Sequence, residues 1–140
     1  MGRLRDAIYF VSHALPRYEC VVWAAQTLLE AGTVDRNEPL VVAVLRWIDD
    51  PGDGLRREIQ RLIDLETLTS PAHSLVMAAF MSGGSVSLPD CPPVMAPTGA
   101  SAKYAAGAIL DAAHFTDDRA AFLRRAAGLG DAMASQAPQS

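Results

Sequence analysis

Apolar residues recur along this chain at three- and four-residue intervals almost from end to end, the period of a helix rather than a strand. Leu4, Ile8, Val11 and Leu15 open the series and predict a first amphipathic helix. After Pro16, RYECVVWAAQTLLEAG sets Tyr18, Val21, Val22, Ala25, Leu28 and Leu29 on one face, with Gly32 as its stop. Asn37 is the expected cap of the next helix and Pro39 lies in its first turn. The following LVVAVLRWI is apolar almost all round and reads as the buried central helix, ended by Asp50-Pro51-Gly52. Asp53 offers a cap for a fourth helix, in which Leu55, Ile59, Leu62 and Ile63 make a narrow stripe among charges. Asp64 and Glu66 fall on its polar face. Ser70-Pro71 starts a short apolar helix that Gly83 or Gly84 can end in the left-handed conformation. Thr98 or Ser101 can start AKYAAGAILDAAH, and Thr116, backed by Asp117 and Asp118, starts the last helix.

These elements predict an all-α protein: one bundle of about six to seven helices, or three stacked helical hairpins. The hairpin alternative rests on a faint repeat. LLEAGTVDRNEPLVVAVLRWI, LIDLETLTSPAHSLVMAAFM and ILDAAHFTDDRAAFLRRAAG each run from an apolar-acidic helix end through a polar turn into an apolar helix. The expected organisation is a single domain over 1–135, with a proline-rich connection at 83–97 and a disordered tail at 136–140.

Composition narrows the partners. The net charge is −4, with eleven arginines and one lysine spread among acids, so no basic patch large enough for nucleic acid is expected. No apolar run reaches the roughly 18 residues that span a bilayer. The first 20 residues resemble a signal peptide faintly, but Asp6 and His13 interrupt the run. The opening Met1-Gly2 suggests myristoylation, yet Asp6 stands where that motif wants Ser or Thr. Cytosolic residence is the expectation. Cys20 and Cys91 are far apart and form neither a metal knuckle nor a disulfide framework.

The stretch FMSGGSVSLPDCPPVMAP, from Phe80 to Pro97, is the strongest break in the pattern. Ser82-Gly83-Gly84-Ser85 lacks the lysine of a phosphate-binding loop, and it follows a helix, where a nucleophile elbow or dinucleotide fingerprint needs a strand. It reads instead as a joint: glycines where the helix stops, then Pro89, Pro92, Pro93 and Pro97 stiffening an extended crossing. Val86, Leu88, Val94 and Met95 within it either seal the bundle or stand exposed as a docking surface, and a proline-stiffened loop loses little entropy on binding.

Catalytic signals are sparse. Cys91 with His73 or His114 is the one conceivable thiol pair, and no motif ties them together. Asp49, Asp50 and Asp53 cluster around Pro51 without the spacing of a calcium loop. No metal and no cofactor are expected. Trp23 shares a face with Glu19, Gln26 and Glu30, off the apolar stripe. It is either a core-edge residue that closes the bundle or a half-buried partner anchor. Arg56, Arg57 and Arg61 are expected on the exposed side of their helix, simply solvated.

Trp47-Ile48-Asp49-Asp50-Pro51, Arg56-Arg57, Ser70-Pro71-Ala72, Ala79-Phe80 and Ser82-Gly83-Gly84-Ser85 together resemble a family of small bacterial proteins of unknown function, over about Tyr18 to Ala134. His73 departs from the aromatic that family often carries there. The resemblance implies company with type VI secretion genes, near spike, PAAR-like and adaptor proteins, and brings no catalytic residues. The resulting expectation is a non-enzymatic interaction module, an adaptor or effector chaperone whose protein partner contacts Trp23, Leu88, Val94 and Met95. A homo-oligomer is compatible with it. An immunity protein that blocks a toxin is the alternative, and a small Cys/His enzyme is the third reading.

Overall fold

Proline and glycine set most of the boundaries in the computed structural model, which describes residues 2–65 and 70–136. Seven helices lie among the described residues: α1 (Gly2–Ala14), α2 (Arg17–Glu30), α3 (Pro39–Asp49), α4 (Asp53–Leu65), α5 (Pro71–Phe80), α6 (Ala100–Ala113) and α7 (Arg119–Gln136). The side chain of Asp64, Glu66 and the tail beyond Gln136 lie outside the described residues. Pro16 precedes α2, and Gly32 turns away from its end at φ 70°. Pro39 and Pro71 each occupy the first turn of a helix, where the missing N–H costs nothing. Ser70 caps α5 by accepting the His73 N–H at 3.1 Å, as its sequence predicts.

Three expected caps belong to neighbouring residues instead. Glu38, not Asn37, precedes α3. The Asn37 N–H is taken by the Asp35 carboxylate at 2.8 Å, a local turn that competes with capping. α6 follows Gly99 at φ 81° without a side-chain cap, while Ser101 lies inside the helix and donates to the Ala78 carbonyl at 2.8 Å, tying α6 to α5. At the head of α7, Asp118 rather than Thr116 accepts a first-turn N–H, that of Ala121 at 3.0 Å.

The buried side chains form one hydrophobic core to which all seven helices contribute. Its centre is α2, not α3. On α2, Cys20, Val21, Trp23, Ala24, Ala25, Thr27 and Leu28 are buried, and the helix packs against α3, α5, α6 and α7. α3 buries a single face (Leu40, Val41, Val44 and Trp47) and leaves Val42 and Arg46 exposed, although its sequence is apolar nearly all round. The alanines of α6 let it approach α5, α2 and α1 closely. α1 also packs on α7, joining the first element to the last. A stack of hairpins contacts only its neighbours, so this closure makes the fold an irregular all-α bundle. No described helix is long and apolar enough to cross a membrane.

Candidate functional site

The joint expected between Ser82 and Pro97 has a definite shape. α5 stops at Phe80, Met81 keeps right-handed backbone as its cap, and the Ser82 hydroxyl donates to the Ala79 carbonyl at 2.6 Å. The chain then reverses through Gly83 and Gly84, the latter at φ 73°. Beyond it a narrow antiparallel hairpin forms, with one bridge between Ser85 and Met95 and a 2.7 Å hydrogen bond from the Val86 N–H to the Val94 carbonyl.

Pro92 and Pro93 have no N–H to extend that ladder, and two serines replace it. Ser85 Oγ accepts the N–H groups of Val94 (3.0 Å) and Ser87 (3.2 Å), and lies 2.8 Å from Ser87 Oγ. Ser87 Oγ donates in turn to the Pro92 carbonyl at 2.8 Å. At the tip, the Cys91 N–H closes a turn onto the Leu88 carbonyl at 3.0 Å, with Pro89 at its first central position.

Two arginines of α4 hold this joint, Arg57 at the hairpin and Arg56 at the end of α5. Arg57 Nη1 donates to the Ser87 carbonyl and, at 2.9 Å, to Gln60 Oε1. Arg56 donates from Nε (3.0 Å) and Nη2 (2.7 Å) to Asp53 Oδ1 and from Nη1 (3.2 Å) to the Phe80 carbonyl. Its guanidinium lies over the Phe80 ring, 5.0 Å from the centroid. Gly84 passes so close that a Cβ there would lie 2.5 Å from Arg56 Nη2. The second glycine of Ser-Gly-Gly-Ser thus does more than turn the chain: it clears the space in which a buried guanidinium sits. Arg56 is therefore not solvated, contrary to its sequence reading; it is 3% exposed.

Asp53 remains largely exposed, and the hydrogen bond from Arg56 holds its carboxyl below the usual carboxylate range. A carboxyl with a depressed folded-state pKa stabilises the fold above its unfolded value and loses that contribution as pH falls through the folded one. Asp53→Asn is therefore expected to lower stability at neutral pH, with the difference from the native protein vanishing well below about pH 4. Urea denaturation of both proteins across that range checks it, and a difference that persists in acid would sink the account.

The four expected contact residues separate. Leu88, Val94 and Met95 stand at the hairpin, 58%, 55% and 64% exposed, so they do not seal the bundle. Val86 is the hairpin residue packed against the core. Trp23 is a correction: it is fully buried, and its indole N–H donates to the Ala126 carbonyl at 2.8 Å. α7 lies over Trp23, while Gln26 and Glu30 on the same face stay exposed, and Gly130 leaves room for the ring. A side chain on Gly130 would overlap Val11 and the Trp23 indole.

Cys91 is exposed at the hairpin turn, and no hydrogen bond among the described residues joins it to a histidine. Cys20 is buried, donates to the Ser12 carbonyl, and burial pushes its thiol up to about 12, which keeps it protonated. No group of three His, Cys, Asp or Glu residues able to hold a metal ion occurs among the described residues. A cavity of about 290 Å³ lies between the α1–α2 elbow and the start of α6. The buried hydroxyls on its wall, Ser12 and Ser101, are both engaged within the chain.

The whole of this architecture, from α1 into α7, falls within one family profile: Family of unknown function (DUF6931) matches residues 1–134. The chain belongs to that family. No curated protein and no solved structure matches it. The DUF6931 assignment agrees with the sequence resemblance as far as a family of unknown function, and assigns no role to any residue.

Proposed function

We propose that this DUF6931 protein is a non-enzymatic protein–protein interaction module, and that the hairpin tip is the surface it presents. The observation that carries the reading is the pairing of exposure with rigidity. Three large apolar side chains are more than half exposed on a loop pinned by Arg57, two serine hydroxyls and three prolines. Solvating apolar surface on a stiff projection is unfavourable unless something covers it, and a loop already held in shape loses little entropy when covered. Within the secretion-locus setting that the sequence resemblance implies, the corresponding role is an adaptor or effector chaperone.

Leu88→Asp and Met95→Asp separate binding from folding. Both positions are exposed, so stability should change by no more than about 0.5 kcal/mol. Partner binding should fall by at least about tenfold if these residues are its anchors. The measurement is co-purification and titration against the products of neighbouring genes, with thermal unfolding as the control. A spike-tip or effector partner that still binds both variants with native affinity would overturn the reading. Capture of a toxin domain alone would favour an immunity role.

A further inference from the structure

A groove of about 250 Å³ opens where α3 ends, α4 begins and the glycine turn passes, with Trp47, Pro51, Asp53, Arg56 and Ser82 on its walls. Two of these side chains are more than nine-tenths buried and still hold unused donors. Trp47 is 5% exposed, and its indole N–H has no acceptor among the described residues. No side-chain nitrogen among them is both fully enclosed and unpartnered, so this N–H keeps contact with solvent, and Trp47 lines the groove. Arg56 carries five N–H donors, of which three are engaged, two by Asp53 and one by the Phe80 carbonyl. One N–H on each Nη has no acceptor among the described residues.

The charge of the guanidinium, by contrast, is already met. Asp53 Oδ1 lies 2.7 Å from Nη2, and Asp53 itself stands on the groove wall, with Asp49 and Asp50 just before Pro51. A second anion entering here would be repelled by a carboxylate it cannot displace without exposing a buried cation. What the groove lacks is an acceptor without a charge. Pro51 and the Trp47 ring supply an apolar wall beside the donors, which suits a group that is polar at one atom and apolar around it.

We propose that this groove binds a neutral amide carbonyl, the chemistry of an extended peptide backbone, with the Trp47 indole N–H and the free Arg56 N–H groups as donors. The site is independent of the hairpin tip and does not rest on the role proposed for it. A carbonyl oxygen has two lone pairs and can take more than one of these donors, as buried donors require.

The test is a titration of the ¹⁵N-labelled protein with N-acetylleucine methylamide, followed by the side-chain N–H resonances, with sodium acetate as the anionic counterpart. The Trp47 indole and Arg56 Nε–H signals should move saturably with a dissociation constant in about the millimolar range, while the Trp23 indole, already bonded inside, stays still. Acetate should bind more weakly than the amide. Trp47→Phe keeps the ring and removes one donor, and should weaken the amide by roughly three- to tenfold. Leu88→Asp should leave the titration unchanged, so failure here and failure of the hairpin surface are distinguishable. Absence of a saturable shift, tighter binding of acetate, or undiminished binding by a folded Trp47→Phe would each overturn the proposal.

Discussion

Trp23→Ala is expected to lower stability by about 3–5 kcal/mol, the range for emptying a buried tryptophan site. The ring is fully buried at the junction of α2 and α7, and its indole N–H ties those helices by donating to the Ala126 carbonyl. Truncation leaves a cavity and removes the indole bond that the Ala126 carbonyl accepts in addition to its place in the α7 ladder. The cavity has a built-in probe, because a Cβ on Gly130 would meet the Trp23 indole as well as Val11 Cγ1, and only the first overlap is relieved when the ring is removed. Gly130→Leu should therefore be strongly destabilising in the native background and less so beside Trp23→Ala, with a coupling on the order of 1–2 kcal/mol. Urea denaturation of the four proteins measures it. Additive effects would mean that Trp23 and Gly130 do not share the space.

Trp23 also shows why the sequence reading went astray where it did. Its neighbours at helical spacing, Glu19, Gln26 and Glu30, are polar, so amphipathic reasoning assigns that face to solvent. Gln26 and Glu30 do stay exposed, but Trp23 between them is covered by α7, more than a hundred residues later, and periodicity within one helix carries no information about a distant partner. A signal existed: glycine in the interior of a helix, as at Gly130, often marks close approach by another element. Arg56 was missed for a related reason. It shares a helical face with Ile59 and Ile63, at spacings of three and seven, but a charged residue at the edge of an apolar stripe is ordinarily solvated. The helix count and all-α class were legible because they depend on local period, proline and glycine alone. The hairpin was legible only as a joint, because its shape comes from serine hydroxyls and two arginines of another helix.

The second large effect is expected at that joint, and the two glycines should behave differently. Gly84→Val places a β-branched residue at φ 73° and drives its Cβ against the Arg56 guanidinium, so a cost of about 2–4 kcal/mol is expected. Gly83 has open space around it and no positive φ, so Gly83→Val should cost less than about 1 kcal/mol. The overlap and the backbone strain can be separated by removing the guanidinium. In an Arg56→Ala background the strain at Gly84 persists and the overlap disappears, so the penalty of Gly84→Val should fall by about 1–2 kcal/mol. An equal penalty in both backgrounds would show that the glycine serves the turn alone. If the penalty falls as expected, Gly84 and Arg56 act as one latch, and loosening it has a consequence beyond stability. Arg56 holds the Phe80 carbonyl just before the reversal, while Arg57 holds the Ser87 carbonyl within the hairpin. Amide exchange at Val86 and Val94, whose N–H groups are tied across the hairpin, should then accelerate in Gly84→Val more than in Gly83→Val.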